Sequence, residues 1–242
     1  MNQTTFDSRL LNTLTALADT LVDDYDVVDL LQTLVDACRD ILGVTAAGIL
    51  LTDESTGQLE LVASTSEASR LVEIMQLAAQ DGPCIQCYRT GEPVAVVSLQ
   101  SATEWGAFRA EALANGFSSI YAVPLRLRER TIGTLNIMNA AEGALPGESQ
   151  AAVRAFADVA TIGILHERSL RESELLAEQL KVALSSRVVI EQAKGVVSFT
   201  ADVPISDAFE LIRGYARHNR LPLSLVASRI VARELRLEES PA

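Results

Sequence analysis

Histidine and cysteine are scarce in this 242-residue sequence: there are two of the first and three of the second. Cys38, Cys84 and Cys87 are too few to staple a disulfide scaffold. Cys84 and Cys87 do form a C-x-x-C pair, which is half of a metal site or a redox dithiol. Completing a zinc site takes two more ligands, and His166 and His218 lie far along the chain. A structural or pocket-lining role is therefore expected for the pair, with no metal and no cofactor. Two histidines also leave few candidates for a catalytic dyad. Phosphate-binding glycine loops, the H-E-x-x-H zinc motif and the G-x-S-x-G elbow are missing as well, so no enzyme activity is expected. The opening MNQTTFDSRL has no basic stretch followed by an apolar run, and apolar segments elsewhere are short and broken by charges. The expectation is a cytoplasmic protein that does not enter a membrane.

What the sequence does hold is 48% hydrophobic residues, enough for one sizeable core and a smaller satellite. Leucines at helical spacing predict helices over 6–22 and 27–42, the second stopped by Gly43. Short apolar runs at 46–51 and 59–63 flank TDESTG, a strand–turn–strand signal. A helix near 67–80, a Gly-Pro break, a short helix near 84–89 and a strand at 94–99 follow. Trp105–Ala114 reads as a helix ended by Asn115-Gly116. Residues 118–127 and 131–140 read as a closing antiparallel pair. The fold class is α+β, an antiparallel sheet flanked by helices. A helix is expected over 148–198 despite Gly163, and in it Gly163, Leu170, Ala177 and Leu184 repeat every seven residues. This long connecting helix is expected to support a homodimer. Two further helices are expected, over 205–217 and 223–236. The expected division is a first domain over 1–165, a connecting helix over 166–182 and a three-helix domain over 183–237.

The formal net charge of −12 argues against nucleic acid when averaged, but it is unevenly spread. Residues 180–237 hold nine basic residues against five acidic ones, a local charge of +4 that leaves −16 for the rest. A basic module on an acidic body suits a nucleic-acid-binding tail, and a solvated helical surface is the plainer alternative. Asp81, Gly82, Pro83 and Cys84 precede a short helix. Backbone donors there suit a small anion or polar ligand, and a tight structural turn is again the plainer reading.

The tail contains ALSSRVVIEQAKGVVS at 183–198, DAFELIRGYAR at 207–217 and NRLPLSLVASRIV at 219–231. This pattern resembles the ANTAR domain, a three-helix RNA-binding module of bacterial transcription antiterminators. DGPCIQCYRTGEPVAV, the segment around Trp105 and GFSSIYAVPLRLRERTIGTLNIMNA resemble a GAF domain. Together they are similar to actinobacterial GAF–ANTAR regulators. The resemblance implies binding of paired hairpin loops in nascent RNA, which keeps a terminator from forming, under control of a sensor domain. It makes Arg187, Lys194, Arg213, Arg217 and Arg220 candidates for RNA contact. It makes Asp81, Gly82, Cys84 and Trp105 candidates for lining a sensor pocket with a small-molecule ligand. Arg187 and Lys194 are seven apart and Arg213 and Arg217 four apart, so each pair shares a helix face. Val189, Val196, Phe209, Leu211, Ile212, Leu225, Val226 and Ile230 are the expected core of the tail. The chain departs from the family where Pro204 stands in place of a capping Ser or Thr, and where Leu223, Ser224 and Leu225 replace a charged pair. The alternative function is a dimeric sensor or scaffold whose tail binds protein.

Overall fold

The computed structural model describes residues 3–20, 26–128 and 130–237, and the side chains among them other than those of 3–5 and 182–183. Two compact units divide the chain, one through Arg168 and one from Ser169 onward.

The first unit is built on strands β1 (Ala46–Thr52), β2 (Leu59–Ser64), β3 (Val94–Val96), β4 (Ser119–Leu127) and β5 (Arg130–Asn139). They form one antiparallel sheet in the order β2-β1-β5-β4-β3. β5 is the central strand and β1 lies beside it in the interior, which is why AAGILLT and TIGTLNIM carry almost no exposed residue. Gly133 of β5 faces Leu51, and a Cβ on it would sit 2.1 Å from the Leu50 carbonyl oxygen, so no side chain fits.

Helices cover both faces. On one, Ile49, Leu135 and Ile137 pack with Leu31, Leu34, Val35 and Cys38 of α2 (Val27–Leu42) and with Val153, Phe156 and Ile164 of α6 (Gly147–Thr200). α1 (Gln3–Thr20) adds Leu17 to this layer. On the other face, Leu50, Ala122 and Met138 meet α3 (Glu67–Ala79), α4 (Pro83–Thr90) and α5 (Gly106–Ala114) through Val72, Cys84, Cys87 and Phe108. Burying each large apolar side chain stabilises the fold by about 1.5–3 kcal/mol. The helix ends follow their sequence signals. Asp26 caps α2 by accepting the Val28 N–H at 2.7 Å, and Gly43 ends it at φ 65°. Ser66 caps α3 by accepting the Ser69 N–H.

The second unit holds the α6 residues from Ser169 on, α7 (Ile205–His218) and α8 (Leu223–Val231). Ala193, Val197, Ala208, Ile212, Ala216, Val226, Ala227 and Ile230 form its core. Four of these eight are alanines, which lets the helices approach closely and keeps the core small. Leu225 is corrected from core to surface, at 45% exposed, because α8 buries its Val226, Ala227 and Ile230 side and Leu225 lies off that side. Phe209 is only half-buried, beneath Lys194. The third helix stops at Val231 rather than 236, since Arg233 takes a left-handed φ of 63°. β3 stops at Val96 rather than 99, where Ser98 begins a turn by accepting the Ser101 N–H. Trp105 precedes α5 at φ 51° instead of lying within it.

Candidate nucleic-acid interface and sensor pocket

α7 presents a sharp two-sided pattern. Ala208, Ile212 and Ala216 recur every four residues and face the core, which leaves Arg213 and Arg217 exposed on the outer side. Pro204 supplies no side-chain cap, and its carbonyl accepts the N–H groups of Asp207 and Ala208 instead. Arg213 lies 3.5 Å from Glu210, a surface pair one helical turn apart. Arg220 follows the helix at φ 55° and is exposed.

On α6, Arg187 is exposed, whereas Lys194 is engaged by its own chain. The Lys194 ammonium lies 2.9 Å from the Glu191 carboxylate and 5.8 Å from the centroid of the Phe209 ring. Its side chain is only 18% exposed. Of the five cationic candidates, four are thus guanidinium groups reaching solvent, and the fifth is half inside the packing between α6 and α7.

In the first unit the sensor-pocket candidates do not converge. Asp81 points to solvent, and Trp105 is half-buried at the edge of the core around α5. Gly82 and Cys84 are buried against a side chain that the sequence did not single out, that of Gln76. The Cys84 N–H donates to Gln76 Oε1 at 3.2 Å, and Gln76 Nε2 donates to the Glu73 carboxylate. A Cβ on Gly82 (φ 148°) would come within 2.5 Å of Gln76 Oε1. The backbone donor that suited a small anion on one reading therefore holds an amide of the chain itself.

Glu73 is fully buried, and Asn136 Nδ2 donates to its Oε1 at 2.8 Å. Burial pushes its carboxyl up to about 7, against the opposing pull of hydrogen bonds from Asn136 and Gln76. Two buried atoms of β5, Thr134 Oγ1 and Asn136 Oδ1, have no hydrogen-bond partner among the described residues. Gly48 of β1 leaves the room for Glu73, whose Oε1 would lie 3.2 Å from a Cβ there. The signal for this cluster in the sequence is faint: Glu73 and Gln76 are three apart in a helix otherwise read by its apolar residues.

Cys38, Cys84 and Cys87 are all buried free thiols. Burial, and then the neighbouring Glu73 charge, holds the Cys84 thiol well above its ordinary range, and burial lifts Cys87 to about 12. Among the described residues, no group of three His, Cys, Asp or Glu side chains is arranged to hold a metal ion. No helix among them is long and apolar enough to cross a membrane.

Comparison with known proteins agrees with this geometry. Residues 24–165 match the GAF domain family and residues 178–231 match the ANTAR domain family. No curated protein matches the sequence. Among solved structures, the first unit resembles the GAF domain of a phosphoenolpyruvate-protein phosphotransferase from Coxiella burnetii. The TM-score is 0.56 at 16% identity, over 68% of this chain and 98% of that one. The GAF domain of the Acinetobacter phosphotransferase gives a TM-score of 0.53 at 17% identity, over 71% of this chain and 99% of that one. Free methionine-R-sulfoxide reductase from Neisseria meningitidis gives 0.52 at 18% identity, over 66% and 91%. At such identities these likenesses establish the fold alone. With more than half of its length matched by the GAF family model, this chain belongs to the GAF domain family and carries an ANTAR domain behind it, the architecture of GAF–ANTAR antitermination regulators.

Proposed function

We propose that this protein is a cytoplasmic, non-enzymatic regulator that binds paired hairpin loops in nascent RNA and so prevents a terminator from forming. One observation carries the reading. The ANTAR match over 178–231 falls on a helical unit whose solvent side presents Arg187, Arg213, Arg217 and Arg220. Guanidinium groups grip phosphates bidentately and stack on splayed loop bases, which is how single-stranded RNA loops are held. The acidic remainder of the chain repels RNA and so favours approach to this surface. The GAF unit supplies the input, through an unidentified small-molecule ligand.

A homodimer suits two linked hairpins. Leu170, Leu180, Leu184 and Val188 of α6 are each about half exposed or more, an apolar series on a helix that a second copy would cover.

The test is filter binding of the full chain to a two-hairpin RNA and to each hairpin alone, across a salt series. The two-hairpin RNA should bind more tightly than either half, with an affinity that falls steeply with salt. Equal affinity for an unrelated RNA duplex would overturn the reading in favour of a protein-binding scaffold.

A further inference from the structure

The Phe199 side chain, one residue from the end of α6, is 89% exposed. It stands on the wall of a groove of about 990 Å³ within the second unit, at the top of the ~300–1,000 Å³ range of ligand clefts. Val197 and Ile230, both buried core residues, give the groove an apolar floor. Gln192 joins Phe199 on the α6 side, and Arg233 and Arg236 line it from the segment after α8. Among the described residues, none of those lining it is acidic. Gly195 leaves the wall bare, since a Cβ there would meet no atom within 4 Å. Arg233 occupies a left-handed position where helices ordinarily place Gly, so an arginine is kept at some conformational cost.

We infer that this groove seats an unpaired base of a bound RNA loop on Phe199, with Arg233 and Arg236 on the flanking phosphates. The inference rests on the RNA-binding reading above and adds to it a base-reading contact. An exposed aromatic ring offers any base a stacking face, and the Gln192 amide offers a donor and an acceptor to a base edge. Charge decides between occupants. A polyanion satisfies two guanidinium groups that no carboxylate among the described residues of the groove meets, whereas an apolar helix of another protein would have to bring its own acceptors. Phe199 follows Lys194 by five residues, about 140° around the helix, so the groove lies on another flank of α6 from Arg187 and Lys194. Phosphate contacts on the first flank position the RNA, and a base in the groove gives it sequence preference.

The test uses the full chain and the two-hairpin RNA. Phe199→Ala should weaken binding about tenfold with an unchanged salt slope. Phe199→Trp should keep the affinity, and Phe199→Leu, which keeps apolar area without an aromatic face, should lose it. The Arg233→Ala, Arg236→Ala double variant should lower the salt slope by about two. An abasic nucleotide at one loop position should cost the native protein as much as Phe199→Ala, and cost the Phe199→Ala variant nothing more. Native RNA binding left unchanged by Phe199→Ala overturns this inference alone. Loss of dimer mass in that variant without loss of RNA affinity overturns it in favour of a protein contact. No RNA binding by the native chain overturns the functional reading, and this inference with it.

Discussion

Asn136 on β5 donates from Nδ2 to Oε1 of Glu73 on α3 at 2.8 Å, and both residues are wholly shielded from solvent. The groups acting on Glu73 are this amide, the Gln76 amide and the Cys84 thiol, and none is a cation. The carboxyl is therefore raised from 4.5 to about 7 by burial. A folded-state value above the unfolded one means that the folded chain binds the extra proton between those limits. Stability is then highest at and below about pH 4.5 as far as this group is concerned. It falls as pH rises through the window, and the full cost is present above pH 7, at about 3 kcal/mol. Glu73→Gln should abolish this dependence and raise urea stability at pH 8 relative to native protein. A pH profile between 5 and 8 that is the same for both proteins would refute the assignment.

The cysteines lead to a second expectation. With all three thiols buried and Cys84 and Cys87 held as thiols above the physiological range, a thiol-specific disulfide reagent should find none of them in the folded protein at pH 7.5. All three should react once denaturant unfolds the chain. Rapid labelling of one or two thiols in the native state would show that the α4 region opens.

Lys194 should behave unlike Arg187, although the two lie seven residues apart on α6. Its ammonium joins Glu191 to the Phe209 ring across α6 and α7, so Lys194→Ala removes packing as well as charge. The expected loss is about 1 kcal/mol of stability. Arg187→Ala, at an exposed position, should change stability by less than about 0.5 kcal/mol. Urea titrations of the two variants give the comparison, and equal midpoints would show that Lys194 is as unencumbered as its neighbour.

Much of the fold was legible because its signals are local. Gly43 ends α2, Asn115 and Gly116 end α5, and the two runs after Phe117 pair as an antiparallel hairpin. α3 was legible as a helix but not as a face. Its apolar residues Leu71, Ile74 and Met75 are exposed, while Ser69, Glu73 and Gln76 are buried. The reason lies 63 residues away, where β5 presents Asn136 to the helix, and periodicity within one segment carries no trace of such a partner. The same limit applies at the helix ends that use Arg220 and Arg233 in a left-handed conformation, because nothing in those residue types announces it. The basic positions of the tail were legible from spacing, but the capture of Lys194 by Glu191 and Phe209 was not. The groove beside Phe199 was not legible either, since it is lined from both α6 and the segment after α8.

Arg213 and Arg217 give the most direct test of the functional reading. They lie four residues apart on the solvent side of α7, opposite the Ala208, Ile212 and Ala216 face, so removing both guanidinium groups leaves the core untouched. The ion pair at stake among the described residues is Arg213 with Glu210, whose side chains are 45% and 66% exposed, and exposed pairs of this kind contribute little to stability. The Arg213→Ala, Arg217→Ala variant should therefore melt within a few degrees of the native protein and keep its oligomeric mass. If both residues touch phosphate, each releases about one counterion when RNA binds, and the salt slope should fall by about two. Affinity for the two-hairpin RNA should drop most at low salt, where those charges act least screened, and the gap should narrow as salt rises. Because phosphate contacts carry no sequence information, the loss should be uniform across loop sequences, in contrast to the base-dependent loss expected at Phe199. Unchanged affinity at both low and moderate salt would remove α7 from the interface and leave these arginines as surface charges.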